Sequence, residues 1–247
     1  MFRRYQVSEG IVIRRRSLPS GDVVATILSQ GGKWRGVARK GTIPGGNLGR
    51  LSLFHDVTVQ SYRRHEQDLA VLTQVQLNGA LPNLSRPEIY PLANLLAELA
   101  DALTVGVHLG ERIYQYLASG LRGLNRSSDP ERVAIVFCWR LLQVAGLAPR
   151  VRRCLHCGAD PPLPHFDIVG GGLSCDACRA GLPIPAETGD DLRVLLSEPV
   201  RIGLDRSLSE RALHLNLLRR YCGYHVAELR SLPASTTTPG GAGAADV

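Results

Sequence analysis

Residues 22–41 read DVVATILSQGGKWRGVARKG. An apolar run at residues 23–28 is cut by Gly31-Gly32, and a second stretch, KWRGVARK at 33–40, follows at once. A strand, a diglycine break and a return strand form the pattern of a β-hairpin. Working outward, residues 5–15 precede the hairpin as another strand candidate. Residues 41–50 (GTIPGGNLGR) have the Gly and Pro content of a flexible loop, and residues 51–62 and 69–77 supply two further strands.

Five short strands in under 80 residues predict a small barrel. The oligonucleotide-binding barrel has that strand number and size, and an SH3-like barrel fits the same pattern. After residue 80 the periodicity changes. Residues 88–105, 109–124 and 130–145 carry apolar residues at three-to-four spacing, as amphipathic helices do. Asp129-Pro130 has the form of an N-cap followed by a first-turn proline, and Gly146 and Pro149 end the same helix. Residues 190–196 and 209–232 read as helical again. The expected fold is α+β, with a barrel over 1–80 and a helical domain over 81–232. A Gly/Pro/Cys-rich insert lies at about 150–183, and the tail at 233–247 is expected to be disordered for want of anything to bury.

Charge is distributed unevenly. The chain carries +7 overall, yet residues 1–64 hold twelve Lys and Arg against three acids, while the other 183 residues hold 17 basic and 19 acidic groups. A concentrated excess marks a face for a polyanion. The candidate contacts are Arg14, Arg15, Arg16, Lys33, Arg35, Arg39 and Lys40. Strand alternation puts Lys33, Arg35 and Arg39 on one side and Trp34 on the other. Trp34 is either a core residue or a base-stacking platform. Arginine outnumbers lysine 27 to 2; this suits phosphate recognition but also follows from a GC-rich genome.

The strongest chemical signal is Cys154-x2-Cys157 followed, after 17 residues, by Cys175-x2-Cys178. Two such knuckles bring four thiolates onto one ion, and four sulfur ligands close a tetrahedral zinc shell with no open position, so the expected role is structural. Such an ion would fold a segment with little apolar content of its own. Iron–sulfur and dithiol redox chemistry fit the doubled spacing less well. His156 lies between ligands and reads as solvent-facing, while Cys138 and Cys222 fall inside helical patterns and read as core thiols.

Neither a nucleophile elbow, a phosphate loop nor a zinc-protease helix motif is present in the sequence. Asp190-Asp191 is read as helix-dipole compensation at a helix start. The reading is of a binding protein rather than an enzyme. The start of the sequence runs into strand-like alternation rather than a signal peptide, and the longest apolar run, 133–139, is far short of a membrane span. A soluble cytosolic protein without membrane contact is expected.

With these features in place, the chain resembles the RecO family of recombination mediators over about residues 5–232. The resemblance rests on Gly21-Asp22, Ala38-Arg39-Lys40-Gly41 and Leu53-Phe54 in the barrel region. It continues in Phe137-Cys138-Trp139-Arg140-Leu141-Leu142 and Gly146-Leu147-Ala148-Pro149, then Cys154-x2-Cys157-Gly158, Phe166, Gly171-Gly172 and Cys175-x2-Cys178. It closes on Tyr221-Cys222-Gly223-Tyr224-His225 and Leu229-Arg230-Ser231. What the resemblance implies is an oligonucleotide-binding (OB-fold) barrel, a helical domain and an inserted zinc ribbon. It implies DNA repair by binding single- and double-stranded DNA and annealing complementary strands. It also implies work with RecR to load RecA onto DNA coated by single-strand binding protein, whose tail some members hold in an apolar groove. The setting implied is the bacterial cytoplasm, at the nucleoid. Some members lack the cysteines, so the resemblance makes the zinc scaffolding. The 33–40 stretch and the tail depart from the family pattern. The alternatives are an RNA-binding factor with a barrel and a zinc ribbon, and a metalloenzyme with an open coordination position.

Overall fold

The computed structural model describes residues 4–65, 67–104 and 109–232; the tail expected to be disordered lies outside them. Five strands come first: β1 Tyr5–Ser17, β2 Val23–Ser29, β3 Gly32–Ala38, β4 Asp56–Tyr62 and β5 Ala70–Gly79. They close into a barrel in the order β1-β2-β3-β5-β4. The long β1 makes the closure, pairing antiparallel with β4 through its first half and with β2 through its second. β3 and β5 run parallel. Small and β-branched side chains, among them Val12, Ala25, Ile27, Ala38, Val57 and Val59, fill the interior.

A bulge in β1 between Val12 and Arg14 shifts the alternation by one residue. Arg14 and Arg16 thereby take the outer side of the barrel, and Arg15, opposite Ala25, takes the inner side at its open end. Ile11, Ile13, Leu28 and Phe54 belong not to the barrel interior but to the core built by the helices.

The helices are α1 Tyr90–Leu103, α2 Gly110–Arg126, α3 Pro130–Val144, α4 Ala186–Ser197, α5 Val200–Asp205 and α6 Arg211–His225, preceded by a 3-10 turn at Pro82–Ser85. α3 is the centre, apolar nearly all round as a buried helix must be; it packs against α1, α2, α4, α5 and α6. Asp129 caps it by accepting the Arg132 N–H at 3.3 Å. It ends in a Schellman turn: Gly146 takes φ +77°, and the N–H groups of Gly146 and Leu147 donate to the Gln143 and Leu142 carbonyls.

Between α3 and α4 lies a small ribbon of three short strands, β6 His165–Asp167, β7 Gly172–Ser174 and β8 Leu182–Pro183, ordered β7-β6-β8. It is less independent than its composition suggests. Val151, Leu163, Phe166, Leu173 and Ile184 are buried in the same core as the helices. Phe166, Trp139 and Tyr221 form an aromatic triangle with centroids 5.9–6.4 Å apart. Tyr221 Oη donates to the Leu147 carbonyl at 2.9 Å, and His225 Nε2 meets the Ile168 carbonyl at 2.7 Å.

The barrel docks on the start of α2 without room to spare. A Cβ at Gly110 would stand 2.5 Å from the Cα and N of Gly32, so two glycines let helix and hairpin touch through their backbones. No helix among the described residues is long and apolar enough to cross a membrane.

Candidate nucleic-acid face and metal centre

The hairpin register fixes where the basic side chains go. Arg14 and Arg35 both stand opposite Thr26, while Lys33 stands opposite Leu28 and Trp34 opposite Ile27. Residues opposite one another share a side of the sheet. Arg14, Lys33 and Arg35 therefore line the outer side and Trp34 the inner one. Trp34 is half-buried against the barrel interior, with its Nε1 shielded and without an acceptor among the described residues. It is a core residue rather than a stacking platform.

The seven basic candidates do not share one situation. Lys33 Nζ donates to the Asp101 carboxylate at 2.6 Å and to the Asp101 carbonyl at 2.7 Å. Arg14 Nε pairs with the other oxygen of the same carboxylate at 2.7 Å. Both cations thus fasten the barrel to α1. Arg15 Nη1 donates to the Leu48 carbonyl at 3.1 Å and holds the 41–55 loop over the open end of the barrel. Arg39 stands 3.9 Å from Asp22, whose other oxygen accepts the Lys40 N–H at 2.8 Å. Arg16, Arg35 and Lys40 are exposed and form no ion pair among the described residues. What remains turned to solvent is Arg16, Arg35, Arg39 and Lys40.

The exposed aromatic of the barrel lies away from the hairpin, at the start of β1. Tyr5 is 73% exposed and packs at a tilt of 47°, with ring centroids 4.9 Å apart, against Tyr62, its partner on β4. The alternation of Tyr5, Val7 and Glu9 was the signal that placed them on one outer side.

The metal centre is built from two turns. Cys154 accepts the Gly158 N–H on its carbonyl and donates its own N–H to Ala159; Cys175 accepts the N–H groups of Cys178 and Arg179. The residue after each second cysteine is left-handed, Gly158 at φ +77° and Arg179 at φ +46°. The four sulfurs lie within 4.8 Å of one another, with Cys157 and Cys175 at 3.5 Å. A tetrahedral ion at about 2.3 Å from each sulfur needs edges of about 3.8 Å, a value inside the span of this cluster. Burial works against ionisation of Cys154, but backbone N–H groups of Cys157, Cys175 and His156 outweigh it and draw its thiol down to about 5. Hydrogen bonds to the sulfurs of Cys157 and Cys175 push Cys178 up to about 12. Four sulfurs this close cannot all ionise by themselves, and a coordinated cation removes that conflict. The donor set fits a structural metal ion. His156 is not part of it: its Nε2 lies 3.1 Å from Asp167.

Asp191 corrects one expectation. α4 begins at Ala186, so Asp191 lies in its second turn and not at the helix start where it would compensate the dipole; it is a buried group, 2% exposed, that pairs with Arg206 and, at 3.4 Å, with the fully buried His214. Burial works against its charge, but His214 and Arg206 prevail and hold its carboxyl below the ordinary range. Both side chains are buried, and the pair ties α4 to α6. Cys138 and Cys222 are buried as core thiols.

Comparison with known proteins completes the picture. Residues 3–80 match the family described as "Recombination protein O N terminal", and residues 85–233 match "Recombination protein O C terminal". A relative from Thermobifida fusca is 32% identical over 234 aligned positions, covering 91% of this chain and 95% of its own. One from Pelotomaculum thermopropionicum is 30% identical over 254 positions, covering 97% and 98%. One from Streptomyces griseus is 32% identical over 194 positions, covering 72% and 76%. All three are named DNA repair protein RecO. With both terminal parts matched and relatives aligned over nearly their full length, the chain belongs to the RecO family of recombination proteins.

Proposed function

We propose that this protein is a DNA repair and recombination mediator that acts by binding and not by bond chemistry. Its barrel is of the oligonucleotide-binding kind and engages single- and double-stranded DNA. The observation that carries the reading is the outward group Arg16, Arg35, Arg39 and Lys40, held on a closed barrel with its neighbouring cations already neutralised. Such a face binds phosphates without reading sequence. By screening two strands from one another and concentrating them on one surface, it anneals complementary DNA.

In this reading the four cysteines hold zinc, which braces the ribbon against α3 and α6 and takes no part in the chemistry of DNA. The protein works with RecR in loading RecA, and its helical domain holds the tail of single-strand binding protein. The setting is the bacterial cytoplasm, at the nucleoid.

The test is annealing of two complementary fluorescent oligonucleotides across a salt series, without nucleotide cofactor. The expected result is acceleration that fades as salt rises. Replacing Arg16, Arg35, Arg39 and Lys40 together by Gln should weaken binding and flatten the log K against log salt slope by roughly 0.7–0.9 for each phosphate no longer engaged. Absence of acceleration, with binding to RNA alone, would overturn the reading. An unchanged slope in the variant would remove this face from it.

A further inference from the structure

β1 closes the barrel by serving two neighbours in turn, and its first half is left with an edge that neither neighbour takes. Residues 5–11 pair with β4, and pairing with β2 begins only at Ile11, opposite Leu28. Main-chain groups alternate in direction along an antiparallel strand. Arg63 donates its N–H to the Arg4 carbonyl at 2.9 Å, and Val12 exchanges bonds with Phe54 and His55 on the same side. Arg4, Gln6, Ser8 and Gly10 thus turn their N–H and C=O groups toward β4. Those of Tyr5, Val7 and Glu9 turn to the opposite edge, where none has a main-chain partner among the described residues. The open stretch ends at Gly10, where a Cβ would stand 2.5 Å from the Leu28 carbonyl and β2 takes over.

The side chains of this edge are as open as its backbone. Tyr5 is 73% exposed and Val7 68%, and Glu9, also exposed, accepts the Thr58 hydroxyl at 3.4 Å. Soluble proteins cover such an edge or blunt it with lysine, proline or a bulge. Residues 5–9 (YQVSE) hold no lysine or proline, and the bulge of β1 comes later, between Val12 and Arg14. Charge is graded along the edge, with Arg4 and Arg64 exposed at one end and Glu9 at the other. The open groups, at Tyr5, Val7 and Glu9, are symmetric about Val7. A second copy running antiparallel about a two-fold axis at Val7 sets Val7 against Val7 and Tyr5 against the partner's Glu9, on one side of a joined sheet. Every open N–H of one copy then meets an open C=O of the other, and each basic end meets an acidic one. A parallel arrangement would set like ends together.

We propose that the open edge of β1, from Tyr5 to Glu9, is where two copies of this chain join, antiparallel, into one sheet that runs from β4 of one barrel through both β1 strands to β4 of the other. The stretch is short and falls below the roughly 800 Å² per partner of a standard stable interface, so the pair forms and parts with protein concentration. It sets two barrels, each with its own Arg16, Arg35, Arg39 and Lys40, in one particle. The pairing goes beyond the reading of DNA binding and does not depend on it.

The test is sedimentation velocity of the full-length protein over a concentration series. The expected result is an average mass that climbs from 26.8 kDa toward twice that value. Val7→Pro removes an open N–H at no cost in bonds to β4 and should hold the protein at the lower mass. Should that variant melt early, Val7→Lys, which keeps the ladder and blunts the edge, carries the test. Cross-linking with glutathione disulfide as oxidant reads the register. Opposed residues in such a pair lie about 5.5 Å apart, within disulfide reach. Val7→Cys should therefore link to its own copy above the level of the parent protein, whereas Tyr5→Cys should link to Glu9→Cys and not to itself. A single mass at every concentration overturns the pairing and leaves the edge to an extended segment of another protein. Association undiminished in the Val7 variants overturns it by placing the contact elsewhere, and Tyr5→Cys linking to itself as readily as Val7→Cys overturns it by its register.

Discussion

Replacing Asp101 with Asn should make the protein less stable and better at holding DNA at the same time. The Asp101 carboxylate is 11% exposed and takes Lys33 on one oxygen and Arg14 on the other. A charge-assisted hydrogen bond in a shielded position contributes about 1.5–3 kcal/mol. The Arg14 pairing, with a side chain 66% exposed, is worth about 0.2–1 kcal/mol after solvent screening. Together they stabilise the docking of barrel on α1 by about 2–4 kcal/mol, which in a chain of this size lowers the melting temperature by about 4–16 °C. The same substitution releases two cations on the outer side of the barrel. The salt dependence of DNA binding should then steepen by up to about 0.7–0.9 log units for each further phosphate engaged. Calorimetry and a salt titration on the one variant read both effects. A melting temperature within about 1 °C of the parent, together with an unchanged slope, would refute the argument that Asp101 joins the two parts and withholds two charges.

The Asp191 cluster gives a pH signature. Its folded carboxyl is held below the ordinary value, so its stabilisation is complete above the unfolded aspartate range and is lost as pH falls through the lowered folded value. Asp191→Asn should cost about 3 kcal/mol at neutral pH, and the deficit should shrink in acid; a deficit undiminished at the acid end, measured by urea unfolding across pH, contradicts the pairing. For the metal centre, titration of thiols with a chromogenic disulfide should proceed in stages. With zinc bound the four cluster sulfurs are protected, and a chelator releases them. Cys138 and Cys222, whose thiols burial pushes well up and up to about 12 respectively, should react only on unfolding. Rapid reaction of all six cysteines in the zinc-loaded protein would contradict this.

The barrel strands were legible because the first half of β1 alternates, β2 is a short apolar run, and the strands are cut by Gly and Pro. β4 begins five residues later than its apolar run suggested. Leu51 and Phe54 are apolar for a different reason, each plugging a core from a loop in which Phe54 takes φ +67°. Helices α1 to α3 followed from three-to-four spacing and from the Asp129-Pro130 and Gly146 punctuation. α5 escaped notice because it has six residues between Pro199 and a turn, too few to show a period. The ribbon strands are two or three residues long and owe their order to the cysteines and to Phe166. The cysteine spacing could be read directly, since both ligand pairs are local. The sorting of the arginines could not. It depends on a bulge that turns Arg15 inward and on Asp101, a helix residue whose nearest partner lies 68 positions away in sequence.

The core that the helices share with the barrel's outer side sets a limit on dissection. Ile11, Ile13, Leu28 and Phe54 are buried only because α1 and α2 cover them, and the ribbon's Phe166 and Leu173 lie in the same apolar body. A barrel cut free at residue 80 would carry those four side chains into water as a sticky patch, of the kind that soluble monomers avoid. Three segments distinguishable by composition are therefore expected to melt as one cooperative unit, and a fragment that precipitates would reveal nothing about where DNA binds.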